Sequence, residues 1–250
     1  MTNCALLATG AIDCWGNNSD GELGSGSTTA PDCGGTCSTT PVQVSGSTNA
    51  TEITAGENGE CARLATGHVE CWGSNTVGEF GDGAASGSSD VPVPVVGITD
   101  AIEVSATAFG ARALLSTGHV ECWGDNAAGA LGDGTTTGPD CGGNCSATPV
   151  QVAGITNAVE IAVGNGADGC ARLSTGGIAC WGSNEAANSE TRPPPIATCR
   201  SPSPGSHSSC PSATRKATAA ANTGGSDAPS ASCHRGHTPC SDPCSSVHLV

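Results

Sequence analysis

The chain has 250 residues, including 37 glycines and 16 cysteines, with no tyrosine and only 2% aromatic residues. This composition favours many tight turns and small side chains. The cysteine content favours an oxidising compartment, extracellular or at a cell surface, because cytosolic thiols stay reduced. Residues 1–186 carry twenty acidic residues against three arginines, which argues against direct nucleic-acid binding by this part. No apolar run is long enough to span a membrane.

The start of the chain leads directly into repeated sequence. Residues 1–3 have neither the basic start nor the apolar run of a signal peptide. We therefore expect that the chain is truncated at its N-terminus.

A repeat dominates residues 1–186. The triplet Cys-Trp-Gly begins at Cys14, Cys71, Cys122 and Cys180, with separations of 57, 51 and 58 residues. The longer periods contain the nearly identical insertions 31–37 and 139–145, which the middle period lacks. Internal repeats of this length are typical of solenoids and propellers.

Four short segments of each period have the composition of β-strands. In one period they are 41–44, 52–54, 61–64 and 69–72, each bounded by turn residues. Four antiparallel strands in about fifty residues predict one blade of a β-propeller. We predict an all-β fold, a partial propeller of three to four four-stranded antiparallel blades, with units at about 1–24, 25–81, 82–132 and 133–186.

The motif around each tryptophan resembles a known repeat. Residues 4–24 hold Cys-Ala-Leu-Leu, Thr-Gly and Cys-Trp-Gly-Asn-Asn-Ser-Asp-Gly-Glu-Leu-Gly, and the second half recurs at 72–81 and 123–132. This pattern resembles the regulator of chromosome condensation repeat, and its cysteine-rich form is similar to repeats of secreted or surface proteins of bacteria. The resemblance implies a seven-bladed propeller, of which this chain holds three full periods. We therefore expect a fragment of a larger protein, with open blade edges that favour self-association.

The repeat pattern stops near residue 186. Residues 187–250 are rich in Pro, Ser, Ala, Thr, Cys and His and poor in strand formers. Such a segment cannot bury enough apolar surface to offset its ordering entropy, so we predict a disordered tail. Its abrupt onset inside a motif suggests an out-of-frame coding end.

The cysteines of the repeat form two kinds of candidate disulfide. Three pairs lie ten residues apart on the two arms of a hairpin, whereas the fourth hairpin has Arg112 opposite Cys122, which leaves Cys122 as either a reactive or a buried, inert thiol. Two further pairs close small Gly-Gly loops, for which a zinc site is the weaker alternative because each loop offers two ligands. The disulfide candidates are Cys4, Cys14, Cys33, Cys37, Cys61, Cys71, Cys141, Cys145, Cys170 and Cys180.

The tryptophans occur in strict phase with the repeat. This phase favours packing between blades over stacking on a sugar or a base. The predicted inter-blade residues are Trp15, Trp72, Trp123 and Trp181. Acidic residues cluster in the loops that follow, among them Glu22, Glu79 and Asp125, and we interpret them as a solvated rim, with calcium binding as the alternative.

The sequence favours a non-enzymatic scaffold over an enzyme. No catalytic, cofactor-binding or metal-binding residue is predicted, because neither His68 nor His119 has a partner that the sequence places beside it. We predict that the propeller loops bind a protein or a carbohydrate in a secreted or cell-surface protein. The alternatives are a guanine-nucleotide exchange factor for a small GTPase, and a lectin or hydrolase on the propeller rim.

Overall fold

A computed structural model describes residues 1–29, 32–163 and 168–183, together with the backbone of 197–199. All regular structure in these residues is β-structure, as the sequence predicts. The strands are β1 (Thr2–Leu6), β2 (Ile12–Asn17), β3 (Cys37–Gln43), β4 (Ala50–Ala55), β5 (Gly59–Leu64), β6 (Val69–Ser74), β7 (Ser88–Pro94), β8 (Ala101–Ala106), β9 (Gly110–Leu115), β10 (Val120–Asp125), β11 (Cys145–Gln151), β12 (Ala158–Val163), β13 (Gly169–Leu173), β14 (Ile178–Trp181) and β15 (Ala197–Cys199).

The strands form four antiparallel sheets, which we number along the chain. The first sheet is β1-β2-β3, the second β4-β5-β6-β7, the third β8-β9-β10-β11 and the fourth β12-β13-β14-β15. Neighbours in each sheet are also neighbours in sequence, so each sheet is a simple meander. The prediction of four-stranded antiparallel sheets is therefore confirmed for the second, third and fourth sheets, while the first has three strands in the described part of the chain.

The grouping of strands within one sequence period was predicted wrongly. The strand that contains residues 41–44 pairs with β2 of the preceding hairpin, Val42 opposite Cys14, and not with β4. The same offset recurs where Val93 pairs with Cys71 and Val150 with Cys122. Each sheet thus takes its outermost strand from the next sequence period, because the loop after the tryptophan returns the chain antiparallel to the strand that it has just left.

Three apolar clusters lie between successive sheets. The first joins Ile12 of the first sheet, with Leu23 and Val44 of the loops beside it, to Ala62 and Trp72 of the second sheet. Equivalent clusters contain Trp123 and Trp181 at the second and third inter-sheet interfaces. Since a sheet must bury an apolar face against another element, these interfaces form the core of the fold.

The predicted disordered tail, residues 187–250, lies outside the described residues except for the backbone of β15. Among the described residues, no helix has the length and apolar character to cross a bilayer.

Candidate functional site

The loops after Trp15, Trp72 and Trp123 are each held by a buried asparagine. We call residues 17–24, 74–81 and 125–132 the post-tryptophan loops. In the second loop, Oδ1 of Asn75 accepts a hydrogen bond from the backbone N–H of Phe80 at 3.1 Å, and its Nδ2 donates to the carbonyl of Ala84 at 3.0 Å. Asn18 and Asn126 make the same two types of bond in the first and third loops. The amides satisfy backbone groups that would otherwise be buried without a partner.

The tryptophans join each sheet to the loop before it. The indole Nε1 of Trp72 donates to the carbonyl of Glu22 at 2.9 Å, and Trp123 bonds to Glu79 in the same way. Trp181 repeats the contact with Ala130 at 3.0 Å. Trp15 is only partly buried. Three of the four indoles are thus used in inter-sheet packing, which leaves little of their ring surface for a ligand.

A glycine ends each loop because the indole lies against it. Gly24, Gly81 and Gly132 have φ of 64°, 67° and 68°. A Cβ on Gly132 would lie 2.6 Å from Cδ1 of Trp181, which is closer than non-bonded carbon atoms approach. The Leu-Gly end of the motif is therefore dictated by both backbone conformation and contact.

Five cysteine pairs lie at disulfide distance in the described residues. Three of them join directly paired residues across a hairpin, at Cα–Cα separations of 4.0 to 4.1 Å. We call these the hairpin clamps: Cys4–Cys14, Cys61–Cys71 and Cys170–Cys180. The other two pairs, Cys33–Cys37 and Cys141–Cys145, close the Gly-Gly loops, which we define as residues 33–37 and 141–145.

The third hairpin replaces the clamp with a buried arginine. Arg112 pairs directly with Cys122 and is 3% exposed. Its Nη1 donates to the carbonyl of Asp168 at 2.9 Å, and its guanidinium lies 5.7 Å from the ring centre of Trp181. Burial lowers the pKa of Arg112, an effect that the nearby Cys122 partly offsets. Arg112 therefore links the third sheet to the fourth.

The thiol of Cys122 is buried and free of a disulfide. Burial raises its pKa to about 12, although the guanidinium of Arg112 acts in the opposite direction. Since the thiolate is the nucleophile, this environment favours the inert interpretation of Cys122 over the reactive one.

Glutamates of β4 and β8, the innermost strands of the second and third sheets, bond to the next sheet along the chain. Oε2 of Glu52 accepts from Arg63 Nε at 3.2 Å and from the backbone N–H of Val104 at 3.1 Å. Glu103 accepts in the same way from the N–H of Ile161 at 3.0 Å. These carboxylates therefore have a structural role between sheets.

The Gly-Gly loops are anchored at their bases by an aspartate. Oδ1 of Asp140 accepts from the N–H of Ala147 at 2.8 Å, and Oδ2 accepts from the hydroxyl of Thr148 at 2.7 Å. Partial desolvation raises the pKa of Asp140, but hydrogen bonds from Thr148, Ala147 and Ser146 outweigh it and lower the pKa. Asp32 binds Thr39 equivalently in the first loop. Each loop is fixed at its base, and residues 142–144 at its tip are exposed.

The solvated acidic rim was predicted wrongly for two residues. Glu22 is 2% exposed and Glu79 is 9% exposed. The Glu22 carboxylate accepts from the amide of Asn17 and from the N–H of Asp20, and that of Glu79 accepts from Thr76 and the N–H of Val77. Burial raises the pKa of Glu79, while these hydrogen bonds lower it. Both carboxylates cap turns inside their loops.

A cavity of about 250 Å³ opens beside the third sheet. Its walls include Phe109, Arg112, Cys122, Trp123 and Asp125. In the described part of the chain, no three acidic, histidine or cysteine side chains converge as metal ligands would. His68 and His119 each bond through Nδ1 to a threonine hydroxyl of their own hairpin turn. Neither histidine lines the cavity.

Comparison with known proteins agrees with this architecture. Residues 10–62 match the family model described as the regulator of chromosome condensation (RCC1) repeat. The crystal structure of human WBSCR16 matches with a TM-score of 0.59 and 21% identity over 73% of this chain and 46% of that one. The crystal structure of Kap60 bound to yeast RCC1 (Prp20) matches with a TM-score of 0.59 and 19% identity over 70% and 40%.

A third match is the crystal structure of Prp20p from Saccharomyces cerevisiae, with a TM-score of 0.55 and 17% identity over 69% of this chain and 41% of that one. That structure is described together with the binding properties of Prp20p to Gsp1p and histones. This chain thus spans less than half the length of each of these solved chains. Residues 10–62 therefore match a regulator of chromosome condensation repeat, and the four sheets have the β-propeller fold of these solved structures.

Proposed function

We propose that this chain is a non-enzymatic propeller scaffold that binds a protein partner. The observation that carries the proposal is that the side chains that recur in phase with the repeat make their contacts inside the fold. Tryptophans, asparagines and innermost glutamates bond to neighbouring sheets and loops. What faces solvent is a set of fixed loops, and such loops on a rigid frame commonly carry binding.

Charge indicates the kind of partner. Residues 1–186 hold twenty acidic residues and three arginines, two of which, Arg63 and Arg172, are paired with glutamates. A surface of one sign favours an oppositely charged partner and speeds its association. We therefore propose a protein with a basic surface. The binding of Prp20p to histones supports this choice. No feature of the described residues favours a carbohydrate.

We further propose that the chain belongs to a secreted or cell-surface protein. The five cysteine pairs at disulfide distance support an oxidising compartment. The test is the number of free thiols in freshly isolated native protein. Ten or more free thiols among the sixteen cysteines would overturn this assignment.

The second candidate is a guanine-nucleotide exchange factor for a small GTPase. It is supported by the structural likeness to yeast RCC1, with its reported binding to Gsp1p. The chain covers only 40% and 41% of the two yeast structures, so it would have to act with part of such a propeller.

One experiment separates the two candidates. The 250-residue chain is immobilised, and binding of purified core histones is measured by interferometry at rising salt; in parallel, nucleotide release from Gsp1p is measured with the chain in solution. The scaffold proposal expects histone binding that weakens with salt and unchanged nucleotide release. A matched variant, Asp20→Asn with Asp133→Asn, should weaken binding without loss of stability. Accelerated nucleotide release would favour the exchange factor, and absence of histone binding would contradict a basic partner.

A further inference from the structure

One buried acid breaks the pattern of the repeat. Glu60 in β5 is 1% exposed, and within the described residues its Oε2 has no hydrogen-bond partner. The equivalent positions, one residue before the clamp or its arginine, hold Asn3, Ala111 and Gly169. An exposed asparagine or a small apolar residue at this position buries no charge. Because an unpaired buried charge is very unfavourable, Glu60 requires a particular explanation.

Two charged groups that act on Glu60 come from the first repeat, and Glu79 of the second post-tryptophan loop lines the same small cavity as Glu60. Glu22, in the first post-tryptophan loop, is 2% exposed and acts on Glu60 as a like charge, and the amino group of Met1 acts as an opposite charge. Glu60 is also paired across the hairpin with Trp72, whose indole donates to the carbonyl of Glu22. Glu60 thus lies at the first inter-sheet interface, next to the contact that joins the two sheets.

The Glu22 carboxylate already has fixed partners. It accepts hydrogen bonds from the side chain of Asn17 and from the backbone N–H of Asp20. Glu60 has no such donors at Oε2. Because a buried carboxylate needs donors to its oxygens, the lack of a donor at Oε2 favours the protonated form of Glu60.

We propose that Glu60 is protonated in the folded protein and, with Glu22, forms a pH-sensitive latch that holds the first and second sheets together and loosens when the proton leaves. The proton keeps a buried pair of like charges from forming beside Trp72. The second and third interfaces have Ala111 and Gly169 at this position, so the latch is confined to the first interface. The latch would regulate the contact between the first and second sheets, whichever partner the loops bind.

The pKa of Glu60 agrees with this geometry. Desolvation by burial, and then the charge of Glu22, raise it from 4.5 to about 9, although the amino group of Met1 lowers it. The unfolded chain loses this proton near 4.5, whereas the folded chain keeps it until about 9. Stability from this group is therefore complete below pH 4.5 and declines between pH 4.5 and 9. Over that range the unfolding equilibrium constant rises about tenfold per pH unit.

The test compares the full chain with Glu60→Gln, which keeps the shape of the side chain and cannot ionise. Urea unfolding is measured at pH 6, 7 and 8 with the disulfides intact. The ratio of the wild-type unfolding constant to that of the variant should rise about 100-fold from pH 6 to pH 8. Glu57→Gln, at an exposed position three residues away, is the control and should leave the pH dependence unchanged. A ratio for Glu60→Gln that stays constant would overturn the proposal.

Two direct measurements complete the test. Carboxyl NMR of glutamate-labelled chain should show one resonance, absent from Glu60→Gln, that titrates near pH 9; a midpoint at 4 to 5 would refute the protonated state. Amide exchange, corrected for its intrinsic pH dependence, should rise above pH 9 in residues 17–24 and 59–74 but not in 110–125. An equal rise in both regions would refute a latch at the first interface.

Discussion

Restoring the missing hairpin clamp is the sharpest test of the strand register. Arg112 and Cys122 are Cα partners, as are the cysteines of the three hairpin clamps. The Cα atoms of those clamps are 4.0 to 4.1 Å apart, and the same register holds in the third hairpin. We therefore expect Arg112→Cys to form a disulfide with Cys122 under oxidising conditions.

The size of the effect follows from the loop that the bond closes. A cross-link over a loop of about eleven residues removes enough entropy from the unfolded chain to stabilise the fold by about 3 kcal/mol. Loss of the charged hydrogen bond from Arg112 to the Asp168 carbonyl costs about 1.5–3 kcal/mol. The two effects nearly cancel, so Arg112→Cys should be about as stable as the wild type.

The informative comparison is with Arg112→Ser, which loses the same arginine contacts but cannot cross-link. Urea unfolding of both oxidised variants should place Arg112→Cys about 3 kcal/mol above Arg112→Ser. The number of thiols in denatured protein gives an independent answer. A new bond consumes Cys122 and lowers the number by one relative to the wild type. A number raised by one, or equal stability of the two variants, would show that residues 112 and 122 do not face each other.

Three further changes test the contacts that recur along the chain. Asn75→Ala leaves the buried N–H of Phe80 without an acceptor and should cost about 1–3 kcal/mol in urea unfolding, whereas Asn17→Ala, which is less buried, should cost less. Trp123→Phe leaves the Glu79 carbonyl without its donor and should destabilise the fold by about 1–3 kcal/mol; no loss in calorimetry would contradict the inter-sheet hydrogen bond. In the wild type, NMR protection of the Ala147 amide should decrease as the pH is lowered through the depressed pKa of Asp140, because protonation of Asp140 weakens the acceptor of this amide. Asp140→Asn should show no such transition.

Repetition made the core of each interface predictable from sequence. The tryptophans recur in phase, and Trp72, Trp123 and Trp181 occupy equivalent places between sheets, whereas Trp15 is only partly buried. The offset of the strands could not be predicted in this way. A short Thr-Gly turn fixes the pairing of β5 with β6, but the longer loop from β6 to β7 leaves the partner of residues 92–95 undetermined in the sequence.

The burial of three carboxylates could not be predicted from the sequence. Glu22 and Glu79 lie in glycine-rich loops, which in sequence are typical of exposed turns, and their burial depends on the indole of the next repeat. Glu60 occurs once and therefore carries no repeat signal. A charged residue at a strand position that is small and apolar in other repeats, such as Ala111, was the one available clue.

The second and third inter-sheet interfaces hold different residues at equivalent positions. Behind the clamp Cys61–Cys71, the facing position is Ala111. Where Arg112 replaces the clamp, the facing residue is Gly169, and a Cβ there would lie 3.0 Å from Cζ of Arg112. The larger side chain is thus matched by the loss of a side chain opposite. Interdigitated packing requires such compensation, because the space between two sheets is fixed by the tryptophan contacts on either side. The tryptophan contacts are thus the same at each of the three interfaces, while the residues opposite the clamp position differ.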